Sequence, residues 1–257
     1  MDGDGAWAGD ASRRRIFIVT AGRTGSSLLS AILADCGANF AMPAPPAWDP
    51  RSGQMEDPDL CAAADYFKRA HDIAAGKPGM SWRRVAWSLL RSRGKTRLAM
   101  TLAKADYVKC VNLDLLVHPA FRLGYAPTVI LSYRRFEDYV VSSAVRGGHS
   151  DLSLLTALYT RIYQNGLLQM TVFGGCVVAY EQLVDPDDVS WANALASVTR
   201  IPAPRLIAAR ERYAVAIERP QPMPPMDRLA GELFTRMEDL RGRVLAPSPP
   251  YLRELAL

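Results

Sequence analysis

Cysteine and histidine are scarce in this sequence of 257 residues, which limits the metal and disulfide chemistry open to it. Only four cysteines and three histidines are present, and no two cysteines form a Cys-x-x-Cys pair. Closely spaced cysteines and histidines are the signature of zinc sites, and regularly spaced cysteines that of disulfide frameworks. We therefore predict no metal site and no disulfide framework, and we expect a reducing compartment.

The sequence also lacks long apolar runs. No segment reaches the roughly 18 to 20 consecutive apolar residues that a membrane-spanning helix needs. Residues 1–15 are rich in Gly, Asp and Ala, end on three arginines, and contain nothing like the apolar stretch of a secretory signal. We predict no transmembrane segment and a cytoplasmic protein.

Lysine is scarce as well, since only five of the 31 basic residues are lysines. The net charge is +5 and the isoelectric point about 9.1, which favours an anionic ligand. Genome composition produces arginine-rich sequences equally well, so the charge alone decides little. With 49% hydrophobic and 22% charged residues, the chain has the composition of a globular protein, and we expect no nucleic-acid partner.

What the sequence does contain is an alternation of short apolar runs and helical patterns. The runs at 16–20, 107–111, 128–132 and 176–180 are typical of buried strands. Helical patterns are found near 28–36, 59–76, 82–104, 137–146, 151–169 and 226–243. This order predicts an α/β fold of three layers, with a central parallel sheet flanked by helices and ligands at the carboxyl ends of the strands.

One domain is expected over residues 15–257, because a chain of this length can bury a full core as a single α/β domain. Residues 1–14 are non-periodic and predict a flexible N-terminal tail. Residues 202–226 hold many prolines and predict a surface connection to the last helix. The sequence shows no internal repeat.

The first segment with chemical character joins the first predicted strand to the first predicted helix. It consists of Gly22, Arg23, Thr24, Gly25, Ser26 and Ser27. The glycines let the backbone turn so that its N–H groups and the positive end of the helix converge on an anion, and the side chains add donors. The segment therefore predicts a phosphate or sulfate site. It is not a Walker A loop, which needs a lysine before the hydroxyl residue.

A second basic segment follows the predicted strand 128–132. Arg134 and Arg135 stand at the end of that strand, and Ser142 lies two turns into the next helix. The planar fork of an arginine donates two parallel hydrogen bonds to a phosphate, and a serine can add a third. Taken alone, this segment is more typical of a solvated surface than of a phosphate site.

Together, the two segments resemble the bacterial type of the sulfotransferases that use 3′-phosphoadenosine 5′-phosphosulfate (PAPS). The family's first loop, G-R-S-G-T-S-L-L in bacterial members, holds the 5′-phosphosulfate, and residues 22–29 here are G-R-T-G-S-S-L-L. The family's segment Y-R-x-P-R-D-x-x-x-S holds the 3′-phosphate through an arginine and a serine that match Arg134 and Ser142. The resemblance covers residues 15–185 and implies the P-loop NTPase-like sulfotransferase fold.

What the resemblance implies is transfer of the sulfuryl group of PAPS to a hydroxyl of a small-molecule, carbohydrate or lipid acceptor. The product nucleotide is 3′-phosphoadenosine 5′-phosphate (PAP). Transfer would be in-line and metal-independent, with Arg23 stabilising the charge on the leaving oxygen. The implied nucleotide-binding residues are Gly22, Arg23, Thr24, Gly25, Ser26, Ser27, Arg134 and Ser142.

The acceptor hydroxyl also needs a general base. The run G-Q-M-E-D-P at 53–58 resembles a G-x-x-E-D segment of bacterial members and makes Glu56 the candidate. The alternatives are Asp57, His71, His118 and His149. Two weaker matches are a strand that ends in Lys109, which is either an active-site or a surface lysine, and Y-E-Q-L at 180–183, which resembles a Y-E-D-L segment.

Two other functions fit the same strand–loop–helix plan. A P-loop nucleotide kinase is disfavoured by the missing loop lysine and by the absence of an acidic residue that ends the strand 128–132, since that class needs a magnesium ligand. A catalytically idle nucleotide-binding protein stays open. The acceptor and the oligomeric state, including a homo-oligomer, are not determined by the sequence. Trp48, Trp82 and Trp87 are expected in the core rather than in an acceptor pocket.

Overall fold

A computed structural model describes residues 11–42, 55–75, 81–148, 151–213 and 227–248 of the chain. Within these residues, no helix combines the length and the apolar character needed to cross a membrane. Most of the predicted N-terminal tail, Trp48, the candidate base His149, and residues 214–226 of the predicted proline-rich connection lie outside the described part.

Five strands form one sheet in the described part of the chain, in the order β2-β1-β3-β4-β5. They are β1 (Arg14–Val19), β2 (Tyr107–Lys109), β3 (Ala126–Tyr133), β4 (Gly175–Ala179) and β5 (Val244–Leu245). The first four run parallel and β5 pairs antiparallel with β4. β2 lies on one side of β1 and β3 lies on the other, so the chain reverses its direction across the sheet. The boundary between β1 and β3 is therefore a topological switch point.

Helices cover both faces of the sheet. They are α1 (Ser26–Asp35), α2 (Pro58–Ala75), α3 (Ser81–Leu102), α4 (Val117–Arg122), α5 (Phe136–Gly147), α6 (Leu152–Phe173), α7 (Tyr180–Val184), α8 (Ser190–Thr199), α9 (Ala203–Glu211) and α10 (Arg228–Asp239). One apolar cluster joins one face of the sheet to α2–α6 and α10, and a second joins the other face to α1, α7, α8 and α9. Adjacent strand residues alternate between the clusters, as Phe17 and Ile18 do.

The predicted α/β fold with a central, mostly parallel sheet flanked by helices is confirmed. Each predicted strand and helix has a counterpart in the structure, including β4 and α10, with bounds that differ by a few residues. The helix α9 occupies part of the predicted proline-rich connection 202–226. Its Pro204 is tolerated because it falls in the first turn, where a helix does not need the N–H. The expected core position of Trp87 is wrong, since 37% of its surface is exposed.

The helices α2 and α3 form an antiparallel hairpin that packs mainly on itself. Gly94 of α3 permits this close contact, because a Cβ there would lie 2.8 Å from the ring of Phe67. At the base of the hairpin, the Asp57 carboxylate accepts a hydrogen bond from the Leu60 N–H at 2.9 Å and another from the Thr101 hydroxyl at 3.2 Å. Asp57 therefore caps α2 and ties its first turn to the last turn of α3.

Gly175 at the start of β4 generates a prediction about stability. Its φ of +149° is unfavourable for other residues, and a Cβ would lie 1.8 Å from the Val129 carbonyl oxygen of β3. We expect Gly175→Ala to lower the free energy of unfolding by about 3 kcal/mol. Urea denaturation monitored by circular dichroism measures this change.

Gly231→Ala is the matched control. Gly231 lies in α10, and a Cβ there would meet no atom within 4 Å. The substitution should raise the free energy of unfolding by about 0.5–1 kcal/mol, since alanine favours a helix over glycine. Equal effects of the two substitutions would contradict the close contact between β3 and β4.

Candidate functional site

The loop between β1 and α1 lies at the carboxyl edge of the sheet, next to the switch point. Its backbone makes a run of unusual turns, because Gly22, Arg23 and Gly25 all have positive φ, of 80°, 52° and 80°. Such turns aim successive backbone N–H groups into one concavity, which is a favourable place for an anion. Gly25 is the N-cap of α1 and brings no side chain to cap its first N–H groups, so these also face the loop.

Two buried threonines hold the loop in place. The hydroxyls of Thr20 and Thr24 lie 2.5 Å apart, and Thr20 also accepts a hydrogen bond from the Gly22 N–H at 3.2 Å. Thr24 is fully buried, and its hydroxyl also lies 3.4 Å from the carbonyl oxygen of Ser132 in β3. The Thr24 side chain thus has a structural role, and a bound anion would meet its backbone N–H rather than its hydroxyl.

The segments that follow the other parallel strands converge on this loop. Val111, just after β2, lies over Gly22, where an added Cβ would be 3.6 Å from its side chain. Tyr180, just after β4, lies against Gly25, where an added Cβ would be 2.2 Å from the tyrosine ring. Arg134, just after β3, stacks its guanidinium over the same ring at 4.4 Å from the centroid. Tyr180 therefore contacts both sequence-predicted segments.

Arg134 lies in a mostly buried setting among carboxylates. Its side chain is 13% exposed and its Nε lies 3.9 Å from Asp138, while within the described part of the chain this Nε makes no hydrogen bond. Burial raises the pKa of Asp138 and of Glu181, and the positive charge of Arg134 partly opposes both shifts. Arg134 thus has hydrogen-bonding capacity that the described residues do not use.

Ser142, the predicted partner of Arg134, lies on the same side of α5 as Asp138. Asp138 and Ser142 are one helical turn apart within α5, so they share one face of the helix, and Arg134, which precedes the helix, lies with its Nε 3.9 Å from Asp138. Ser142 is half-buried. The neighbouring Arg135 instead donates a hydrogen bond to Glu137 at 3.0 Å. The spacing predicted from the sequence is therefore compatible with a shared ligand for Arg134 and Ser142.

Lys109 is the buried cation of the site. Its side chain is only 2% exposed, and its Nζ lies 3.1 Å from the Ser27 hydroxyl and 3.1 Å from the Glu56 carboxylate. Burial lowers the pKa of Lys109, and the carboxylate of Glu56 opposes that shift. Of the two interpretations that the sequence left open, a surface lysine is excluded by this burial.

The candidate bases occupy different places. Glu56 is 25% exposed beside Lys109, whereas Asp57 is engaged as the cap of α2. His71 is exposed on α2. His118 packs against Phe173, which precedes β4 and therefore lies towards the amino edge of the sheet. Among the candidate bases that the structure describes, Glu56 is the one linked to the glycine loop, because Lys109 contacts both Glu56 and Ser27.

Sequence reasoning attached no role to Tyr180 and Glu181. A signal was available, because Y-E-Q-L directly follows a predicted strand, and residues after parallel strands gather at the same edge. Glu181 is largely buried, and its Oε2 finds no hydrogen-bond partner among the described residues. Also within the described residues, no cluster of three His, Cys, Asp or Glu side chains is arranged to hold a metal ion.

The chain was compared with protein-family models, curated proteins and solved structures. No protein-family model matches the chain, and neither the curated proteins nor the solved structures contain a significant match.

Proposed function

We propose that the chain is a PAPS-dependent sulfotransferase that transfers a sulfuryl group to a hydroxyl of a small-molecule, carbohydrate or lipid acceptor. The observation that carries this proposal is the contact of Tyr180 with both Gly25 and Arg134. It joins a glycine loop suited to one anionic group and an arginine suited to another, at the carboxyl edge of adjacent strands. PAPS has such anionic groups at its 5′ and 3′ positions and supplies the sulfuryl group when bound.

The 5′ end of the nucleotide fits the loop that begins after β1. The turns at Gly22 and Gly25 and the uncapped start of α1 offer backbone N–H donors, which need no reorganisation to meet negative charge. Arg23, at the centre of the loop, adds a guanidinium. In this proposal these groups hold the phosphosulfate and stabilise the charge on the leaving oxygen.

The 3′-phosphate fits Arg134 and Ser142. The guanidinium of Arg134 lies over the ring of Tyr180, and its Nε has no hydrogen-bond partner in the described part of the chain, so it can donate to a phosphate without breaking an existing bond. Ser142 adds a hydroxyl from the same face of α5. Asp138 and Glu181 balance the charge of Arg134 before the nucleotide binds.

Lys109 and Glu56 complete the proposed chemistry at the other side of the loop. The Lys109 ammonium, fixed to Ser27 at the start of α1, adds positive charge where the leaving oxygen becomes negative. Glu56, 3.1 Å from that ammonium, accepts the proton of the acceptor hydroxyl.

Nucleotide selectivity tests the proposal most directly. We expect PAP to raise the melting temperature without magnesium, by about 5–10 °C at a hundredfold excess over its dissociation constant. Arg134→Ala should weaken PAP binding about a hundredfold, because a charge-assisted pair of hydrogen bonds is lost. Titration calorimetry measures the affinities.

Arg135→Ala is the matched control for that experiment. Arg135 neighbours Arg134 in sequence but pairs with Glu137, so its loss should change PAP affinity by about twofold at most. A shift produced by ATP with magnesium and not by PAP would instead support the kinase, and an equal loss in both variants would contradict the 3′-phosphate site.

The contact of Gly25 with Tyr180 yields a second binding prediction. Gly25→Ala adds a methyl group 2.2 Å from the ring at a φ of +80°, so the loop or the ring must move. We expect at least about a tenfold loss of PAP affinity in titration calorimetry. In Gly148→Ala, also at positive φ but with nothing within 4 Å of the added Cβ, PAP affinity should stay at the wild-type value; a loss there too would contradict the prediction.

The role of the base is tested by comparing adjacent carboxylates. Glu56→Gln should lower the rate of PAPS-dependent sulfation of a hydroxyl acceptor about 10²–10⁴-fold, because the group that accepts the proton is removed. PAP affinity should be nearly unchanged. Conversion of PAPS to PAP in the presence of phenol, sugar and lipid acceptors measures the rate.

Asp57→Ala should retain turnover and lose about 1 kcal/mol of stability, since it removes a helix cap. The reverse pattern, in which Asp57→Ala abolishes turnover and Glu56→Gln does not, would assign the base to Asp57. A wild-type protein that binds PAP and sulfates no acceptor would support the idle nucleotide-binding alternative.

A further inference from the structure

The helix α3 has an unusual charge and an apolar side that no described residue covers. Its 22 residues include six basic residues and no acidic one, so it carries more positive charge than the net +5 of the whole chain. The basic residues are Arg83, Arg84, Arg91, Arg93, Lys95 and Arg97. A charge of one sign concentrated in one helix suits a polyanionic partner.

The apolar side of α3 faces away from the hairpin. Val85 and Leu89 are one helical turn apart and are 61% and 55% exposed, while Met100, on the same side three turns later, is 48% exposed. The opposite side carries the buried Leu98 and Leu102. The helix therefore has two apolar sides, of which only one is used for packing within the described part of the chain.

Basic residues flank the exposed apolar side on both of its edges. Helical spacing places Arg93 and Arg97 along one edge and Arg84 and Lys95 along the other. Because Arg97 forms an ion pair with Asp59 of α2, we use "α3 outer face" for the side formed by Val85, Leu89, Arg84, Arg93 and Lys95 only. Apolar residues between two rows of long cationic side chains are typical of a helix that lies in the plane of a membrane surface.

We propose that the α3 outer face docks the protein on a bilayer that contains anionic lipid. Val85 and Leu89 enter the boundary of the acyl chains, and the flanking arginines and lysine reach the headgroup phosphates. The α3 outer face shares no residue with the proposed nucleotide site, so the inference does not depend on the sulfotransferase proposal.

Other partners fit the α3 outer face less well. A second copy would bring two strongly cationic helices together, which is unfavourable. A nucleic acid would satisfy the cations but leave the exposed Val85 and Leu89 without apolar contacts. A protein partner usually needs about 800 Å² on each side, more than two or three apolar side chains supply, whereas a bilayer combines few apolar groups with charge attraction.

Co-sedimentation of the full chain with vesicles tests the proposal. We expect binding to vesicles of equal parts phosphatidylcholine and phosphatidylglycerol, and none to phosphatidylcholine alone. Raising the salt from about 0.1 M to about 1 M should release the protein, because it screens the attraction. Arg84→Gln combined with Arg93→Gln and Lys95→Gln should weaken binding about a hundredfold.

The apolar contribution is tested by Val85→Ser combined with Leu89→Ser, which should weaken binding at least about tenfold. The matched controls lie elsewhere on the surface and should bind like the wild type. Leu154→Ser with Leu168→Ser removes two leucines of α6 that are 58% and 64% exposed. Arg228→Gln, Arg236→Gln and Arg243→Gln remove three exposed arginines outside α3. All variants replace exposed residues, so their melting temperatures should match the wild type.

Several results would overturn the proposal. They are equal binding to neutral and anionic vesicles, no binding to either, and losses in the control variants as large as those in the α3 variants. Binding of a nucleic-acid duplex that is lost in the charge variant and kept in the serine variant would identify α3 as a nucleic-acid surface instead. A dimer in solution that the serine variant dissociates would identify a second copy as the occupant.

Discussion

Lys109 carries a positive charge that is almost completely withdrawn from water, so the surrounding chain has to supply its partners. It obtains a hydroxyl from Ser27 and a carboxylate from Glu56, each at 3.1 Å. These partners belong to segments that are distant in sequence: the start of α1 and the residues just before α2. The need to neutralise one buried ammonium therefore fixes the position of the base of the α2–α3 hairpin relative to the glycine loop.

A second constraint is steric and acts on the other side of the loop. Tyr180 fills the space beside Gly25 that any larger residue would need, and the same ring contacts the guanidinium of Arg134. The ring thereby sets the distance between the turn at the start of α1 and the cation at the end of β3. A rigid separation between two anion sites is what selectivity for a nucleotide with two separate phosphates requires.

The sequence was sufficient to predict the four parallel strands, the main helices and the position of the glycine loop, because apolar periodicity and glycines act locally. It also placed Arg134 at the end of β3 and Ser142 on the helix that follows. It could not show that Lys109 is buried, since that depends on Ser27 and Glu56 folding over the end of β2. The contact between Tyr180 and Gly25 likewise depends on the order of the strands. Glu56 and Asp57 are adjacent in sequence, and their different roles become clear only from their contacts in the structure. The sequence contained one signal, because an aspartate before a proline is typical of a helix start.

The short helices after residue 180 were not predicted because α7 is five residues long and the apolar pattern of α8 and α9 spans only two or three turns each. The limits of the α2–α3 hairpin were predicted, but the exposure of its outer residues was not, because apolar periodicity does not show which side of a helix is covered. Asp57, Thr101 and the ion pair of Arg97 with Asp59 anchor the hairpin at its base. Val85 and Leu89 lie about two to four turns away along α3, and among the described residues they share no hydrogen bond or ion pair with these groups. Changes on the α3 outer face and changes at Lys109 should therefore act independently, so a loss of one activity without the other separates the two surfaces.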